Sequence, residues 1–222
     1  MASPNWDSLN VQHSKNIGDP KSTATTDGVV YTSAQRDNHL NIASKRWIEF
    51  RASRALGLEA MGKDATPHWI ALDSYITEAA GTLSSNTLAL ASWTPAVWFP
   101  ISAYNNTGSL PVYRFNDQYR FFTKTGGNTY LASSSTFQIW YIKAGSLVVD
   151  GSGATDSILL RYIQTYSNLS ANGSTDILIN AAYWGEILDL ALAVQKEEMA
   201  TPQAQQIAQT KTGMTLNAIS SY

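Results

Sequence analysis

The sequence predicts an α+β protein: a helical bundle, made of a long N-terminal helix and a C-terminal helical hairpin, with a small antiparallel β-domain inserted between them. Three features of the 222 residues carry that expectation. Apolar residues recur at helical spacing near both ends of the chain. Runs of β-branched and aromatic residues, separated by Gly/Asn turn clusters, fill the middle. The last two helical runs are joined by so few residues that they read as an antiparallel pair.

Residues 1–30 are polar and punctuated by Gly and Pro, with Trp6, Leu9, Val11, Ile17, Val29 and Val30 as apolar anchors. They read as an extended arm, with at most a short helix around Leu9 to Lys15. The helical part follows over residues 31–87. Thr32 and Gln35 have capping-box spacing, and Gly57 is the first Gly or Pro after them, so it reads as the stop. Leu40, Ala43, Trp47 and Phe50 form one apolar stripe at 3,4 spacing, continued by Arg54. From Thr66 the chain reads two ways. Thr66-Pro67 suits an N-cap and first helical position opening a helix through Ile70, Leu72, Tyr75, Ile76 and Ala79 to Gly81; Trp69 and Tyr75 suit a strand.

The β-insertion spans residues 88–170. Its expected strands are Ala96 to Ile101, Phe137 to Ile142, Ser146 to Val149 and Ile158 to Ile163, parted by turns at Asn105 to Gly108, Gly126 to Asn128 and Asp150 to Gly153. Asn116 to Thr123 reads as a short helical turn on the sheet. Residues 171–222 return to helix. Thr175 or Asp176 caps a run with Ile179, Ala182, Tyr183, Glu186, Ile187, Leu190, Ala191 and Val194 on a broad apolar face, and Thr201-Pro202 opens the second helix.

Composition narrows the function classes. With no cysteine, a disulfide scaffold, a thiol nucleophile, an iron–sulfur cluster and a Cys-ligated zinc site are excluded. A net charge of −2 does not suit a chain that coats nucleic acid over its whole surface. No apolar run approaches the roughly 18 residues a membrane span needs, and Met1 to Asp19 holds no apolar core of a secretory signal. Only 14% of residues are charged, against about 25% in ordinary soluble domains. Ser, Thr, Asn, Gln and Gly take their place, which suits a subunit of a large assembly or, equally, a polar-coated monomer. The first helix carries Arg36, Lys45, Arg46, Arg51 and Arg54 against Asp37 and Glu49, whereas residues 144–222 hold three basic and seven acidic side chains. The basic helix reads as a contact for nucleic acid or an acidic partner, or as a solvated face opposite the core stripe.

A search for chemistry returns little. His13, His39 and His68 lie in separate segments without paired metal spacing. No nucleophile elbow, phosphate-binding loop or zinc-protease motif occurs, and Gly151-Ser152-Gly153 sits between two strands as a hairpin turn would. Asp73 with Glu78, Glu186 with Asp189, and Glu197 with Glu198 are carboxylate pairs with the ordinary reading of a solvated face. Trp93, Trp98, Phe99, Tyr104, Tyr113, Phe115 and Tyr119 suit core packing of a small sheet, or stacking on sugars or bases. The Asn105, Asn168 and Asn172 sequons read as chance in so Asn/Ser/Thr-rich a chain.

The order of elements resembles one family. The arm, the stretch Tyr31-Thr32-Ser33-Ala34-Gln35-Arg36-Asp37-Asn38-His39-Leu40-Asn41-Ile42-Ala43-Ser44-Lys45-Arg46, a strand-rich insertion ending in Leu159 to Ser170, and closing helices through Ala181-Ala182-Tyr183, Leu190 to Ala193 and Gln203 to Gln206 resemble tailed-bacteriophage head-to-tail adaptor (connector) proteins. The resemblance covers residues 31–222 as an arrangement, without a diagnostic motif. It implies a structural virion protein without enzymatic activity or cofactor, made in the bacterial cytoplasm and placed at the head–tail junction. Such proteins ring the portal, usually in twelve copies, extend the channel through which double-stranded DNA passes, and carry tail or nozzle proteins and tail fibres. Carried onto this sequence, the resemblance implies portal contact through Gln206, Ile207, Met214, Leu216, Ile219 and Tyr222. It implies contact between subunits through Arg36, Arg46, Arg51, Arg54, Glu186 and Asp189. The other readings are a different phage tail or fibre-attachment protein, and a carbohydrate-binding or hydrolytic β-domain that would expose Trp93, Trp98 or Tyr104 in a groove.

Overall fold

The computed structural model describes residues 5–21, 23–28, 30–91, 93–114, 134–170, 178–198, 210 and 212–216. The chain forms two compact units, one of Met1–Ser74 with Tyr166–Tyr222 and one of Tyr75–Thr165.

The first unit is helical. Helix α1 spans Trp6–Asn16, α2 spans Ser33–Ala60, α3 spans Thr66–Leu72 and α4 spans Trp184–Glu198. The segment read from sequence as an arm therefore holds a three-turn helix, started by the Asn5 side chain, which accepts from the Ser8 N–H. Trp6, Leu9, Asn10, His13 and Ser14 make its buried stripe. In α2 the capping box forms as its spacing implies: Thr32 Oγ1 accepts from the Gln35 N–H, and Gln35 Oε1 accepts from the Thr32 N–H. Gly57 does not stop this helix. The end comes at Gly62, whose φ of 66° lets the Gly62 N–H reach Glu59 O and the Lys63 N–H reach Leu58 O, the paired bonds of a Schellman motif. Leu40, Ala43, Trp47, Ile48, Ala52 and Ala55 of α2 are fully buried, and α4 packs along them with Ile187, Leu190, Ala191 and Val194. The proposed caps Thr175 and Asp176 lie outside the described residues, and the helix starts later than they imply: Asn180 Oδ1 accepts from the Ala182 N–H, a 3₁₀ turn covers Ala181–Tyr183, and α4 begins only at Trp184. Most of the second C-terminal helix also lies outside the described residues; residue 210 and residues 212–216 are helical.

The second unit corrects the expected fold class. In place of a small antiparallel insertion in a helical bundle stands a seven-stranded mixed sheet, ordered β1-β7-β3-β4-β5-β6-β2. Its strands are β1 Ile76–Thr82, β2 Thr87–Ala89, β3 Val97–Asn105, β4 Leu110–Arg114, β5 Gln138–Lys143, β6 Ser146–Asp150 and β7 Ser157–Gln164. The strands read from sequence lie in β3, β5, β6 and β7; β1 falls in the stretch that read as either helix or strand, and β2 and β4 were not foreseen. The expected helix through Ala79 is wrong beyond Leu72. After a single 3₁₀ turn, Asp73–Tyr75, the chain enters β1 and pairs antiparallel with β7, Ile76 opposite Ile163 through Thr82 opposite Ser157. The Ile-Thr-Glu-Ala-Ala-Gly-Thr sequence has the helical apolar period but gains more from the long neighbour β7. Gly81, read as a helix stop, is where Leu88 and Trp93 close over the sheet: a Cβ there would stand 2.8 Å from both side chains. The β4–β5 pair is parallel, so the sheet is mixed. The expected helical turn at Asn116 to Thr123 and the Gly126 to Asn128 turn lie outside the described residues.

One face of the sheet is the core of this unit. Leu83, Leu88, Leu90, Ala103, Val112, Trp140, Leu147, Val149, Ile158, Leu160 and Tyr162 pack together, with Trp93 set edge-on against Tyr162 at 5.5 Å between ring centroids. On the ladder of β7 the alternation Ile158, Leu160, Tyr162 buries one face, as a period of two requires.

Candidate interaction site

In the first unit the cations of α2 and the carboxylates of α4 meet as ion pairs. Arg46 makes a fork on Glu197 at 3.0 and 2.8 Å, with both side chains about a third exposed. One turn on, Arg51 is 2% exposed. Its Nη2 reaches both Glu186 oxygens, at 3.0 and 2.9 Å, and Glu186 also accepts from Trp47 Nε1 at 2.5 Å. The Arg51 guanidinium lies over the rings of Trp47 and Tyr183, 5.0 and 4.8 Å from their centroids. Two charge-assisted bonds and two ring faces are what allow so hydrophilic a group to be buried.

Arg36, at the start of α2, is fully buried. Its Nε donates to Asn10 Oδ1 at 2.9 Å, and its Nη groups donate to the carbonyls of Tyr31, Ala24 and Thr26. Asp37 beside it accepts from Trp6 Nε1 and from Asn10 Nδ2, each at 2.7 Å. These bonds fix α1 and the chain after it on α2. The basic face of the first helix is thus an internal fastening, and the solvated-face reading does not describe Arg36 or Arg51. Arg54 is half-buried, and Asp189 is exposed.

Beside the Arg51–Glu186 pair lies a cleft of about 500 Å³, lined by Arg51, Asp64, Pro67, Ile70, Tyr183 and Glu186, among others. Ile70 at its side is 65% exposed. The Thr66 hydroxyl first, and then the Thr66 N–H that donates to Asp64 Oδ1, hold the Asp64 carboxyl below the usual carboxylate range. His68, on the same short helix, is fully buried, and neither ring nitrogen has a hydrogen-bond partner. Burial first, then the Arg51 and Arg54 cations, lowers its pKa from the ordinary 6.5, partly offset by Glu186.

Of the residues assigned to portal contact, Met214 is 67% exposed and Leu216 is half-buried; Gln206, Ile207, Ile219 and Tyr222 lie outside the described residues. Within the second unit, Tyr104 and Tyr113 are exposed, and Tyr113 stacks on Phe137 at 5.3 Å. Trp93 is packed on the sheet core, and Trp98 is half-buried against Phe99. Phe115, Tyr119 and Asn172 lie outside the described residues. The Asn105 side chain is fully buried. Gly151 to Gly153 lies between β6 and β7 as expected, but these strands are not neighbours in the sheet, so the expected hairpin turn is instead a connection from one part of the sheet to another. Among the described residues no group of three or more His, Asp or Glu gathers in metal-binding geometry, and no helix is long and apolar enough to cross a membrane.

Sequence reasoning missed the burial of Arg36 and Arg51. The available signal was their position: Trp47, Arg51 and Arg54 follow 4,3 spacing and so share the stripe's face. Neither a comparison with protein-family models nor one with curated proteins finds a match to this sequence.

Proposed function

We propose that this chain is a structural virion protein of a tailed phage: a head-to-tail adaptor that assembles as a ring on the portal, extends the DNA channel and gives the tail its attachment platform. The observation that carries this reading is the order in which the first unit is threaded. A short helix and a long capped helix come first, the chain leaves at Tyr75, and it returns after Thr165 to lay α4 back on α2. The resemblance to adaptors rests on that order of elements, and the mixed sheet of the excursion adds nothing to it.

Surface character supports the same reading. Val30, Met61, Ile70, Leu178 and Met214 of the first unit are each at least 47% exposed, on a chain with few charges to oppose association. Because Arg36, Arg46, Arg51 and Glu186 are bonded within the subunit, contacts to neighbouring copies fall to such apolar side chains. The partners of this reading are the portal, tail or nozzle proteins, tail fibres, eleven further copies of the chain and, in passing, double-stranded DNA. The purified chain mixed with the portal protein of the same genome, viewed by negative-stain electron microscopy, is expected to add a second ring to the portal. A bare portal beside a monomeric chain overturns the reading.

Exposed Tyr104 and the Tyr113–Phe137 stack favour the second reading, a carbohydrate-binding module. It requires intrinsic fluorescence to change on titration with at least one member of a glycan panel, and a flat response across the panel ends it.

A further inference from the structure

Three helices of the first unit meet at a buried histidine pair. His13 of α1 and His39 of α2 are both fully buried, with rings edge-to-face at 5.5 Å between centroids. Their facing nitrogens, His13 Nε2 and His39 Nδ1, lie 3.3 Å apart. His39 Nε2 lies 2.8 Å from Glu198 Oε2 at the end of α4. The Tyr31 ring lies edge-on to His39, and its hydroxyl accepts from Gln195 of α4. The charged groups around the pair are Arg36 and Asp37 from α2 and Glu198 from α4.

The carboxylate fixes where the protons sit. Glu198 only accepts, so His39 carries its proton on Nε2, and its Nδ1 is a lone pair to which His13 Nε2–H donates. His13 Nδ1 then carries no proton, and it has no partner. One added proton fits this chain only if it enters at His13 Nδ1 and the proton between the rings passes to His39 Nδ1, leaving the cation facing Glu198. A second sets N–H against N–H across 3.3 Å, beside the Arg36 guanidinium and away from water.

We propose that this pair is an acid-operated latch on α1: the docked helix holds one proton fewer than the released helix, so acidification frees residues 6–16 from α2 and α4. The inference does not rest on the adaptor reading. Burial, then His39, then Arg36 hold His13 down to about 3, in keeping with the geometry. Released, the imidazole returns to its ordinary value near 6.5, and between those values release takes up one proton. The other attachments of α1, Trp6 and Asn10 on Asp37, help set how far α1 is held at neutral pH.

Hydrogen–deuterium exchange of the full chain, read at peptides covering residues 5–16 and corrected for the intrinsic rate, tests this between pH 7.5 and 5. The expected result is that opening of α1 rises about tenfold per pH unit below about 6.5, while α2 keeps its protection. Equal protection at both ends of the range overturns the latch. His13→Gln keeps a donor toward His39 without titrating, so its α1 should show no such rise; a wild-type response in H13Q overturns the assignment to His13. Glu198→Gln keeps the hydrogen bond to His39 and removes the neutralising charge. Its α1 should open at higher pH than wild type, and this variant decides the matter if H13Q does not fold: an unchanged profile in E198Q overturns the proposal.

Discussion

Arg51 and Glu186 lock α2 to α4 through one nitrogen, Nη2, shared by both carboxylate oxygens at 3.0 and 2.9 Å. The pair is far more buried than Arg46 and Glu197, which join the same two helices at the surface. Removing the carboxylate in Glu186→Ala leaves a 2% exposed guanidinium and the Trp47 N–H without their acceptor. A loss of about 3–5 kcal/mol is expected, against about 1 kcal/mol or less for Arg46→Ala. Urea unfolding of the full chain measures both, and equal losses would show that burial does not set the difference.

His68 makes stability depend on pH in a defined direction. Its pKa is lowered in the folded state, chiefly by burial, so below the ordinary value of 6.5 the unfolded chain binds more protons. Stability from this group is complete above about 6.5 and falls as the solution is made more acid. Since neither ring nitrogen has a partner, the imidazole contributes a desolvation cost and no bond. His68→Leu is expected to raise stability at pH 6 by about 1 kcal/mol and to flatten the profile between pH 7 and 5. Thermal unfolding across that range, in wild type and variant, shows whether the slope changes; a destabilised H68L with an unchanged slope would sink the argument.

How legible each element was follows from the range of the interactions that decide it. The α2 start could be read because Thr32 and Gln35 bond within four residues, and its end was misplaced because Gly57 tolerates an exposed helical position while Gly62 supplies the positive φ. β3, β5, β6 and β7 announce themselves by β-branched and aromatic runs. β1 does not, since Ile76 to Thr82 takes strand form only through seven residue pairs with β7, some eighty positions away. The candidate site was harder still. Arg51, Glu186 and Trp47 were visible as residue types, but nothing within either helix records that the two faces meet, and the His13–His39–Glu198 chain joins segments whose separation had argued against any paired histidine.

Asn105 holds three parts of the second unit with one amide. Its Nδ2 donates to Gln138 Oε1 at 2.9 Å and to Asp156 Oδ2 at 2.7 Å, and its Oδ1 accepts from the Gly108 N–H at 2.9 Å. Replacement by Leu preserves volume but leaves the buried Gln138 and the Gly108 N–H unpaired. An expected cost of about 2 kcal/mol or more, read as a shift of the urea midpoint, follows from those lost partners. The same burial closes the Asn105 sequon to a glycosyltransferase in the folded chain. Mass spectrometry after expression in a glycosylating host should find Asn105 unmodified when the protein emerges folded, and a glycan there on folded protein would contradict the placement.

Two glycines in turns of the sheet separate backbone strain from steric fit. Gly145 lies in the two-residue turn between β5 and β6 with φ of 75°, and a Cβ added there meets nothing within 4 Å. Gly151, just after β6, has φ of 91°, and its Cβ would stand 2.5 Å from the Ser134 carbonyl oxygen and 3.0 Å from the Ser134 nitrogen. Both Ala variants bear the left-handed cost of about 1–2 kcal/mol. Only Gly151→Ala must also move backbone, and Ser134 is not free to yield, because it is tied to Phe137 by reciprocal N–H to carbonyl bonds of 2.7 and 3.1 Å. Gly151→Ala is therefore expected to cost at least about 1 kcal/mol more than Gly145→Ala, and to speed hydrogen exchange at Ser134 and Phe137. If the two variants unfold at the same urea concentration, the approach of Gly151 to Ser134 is not what demands glycine there, and the left-handed turn alone accounts for it.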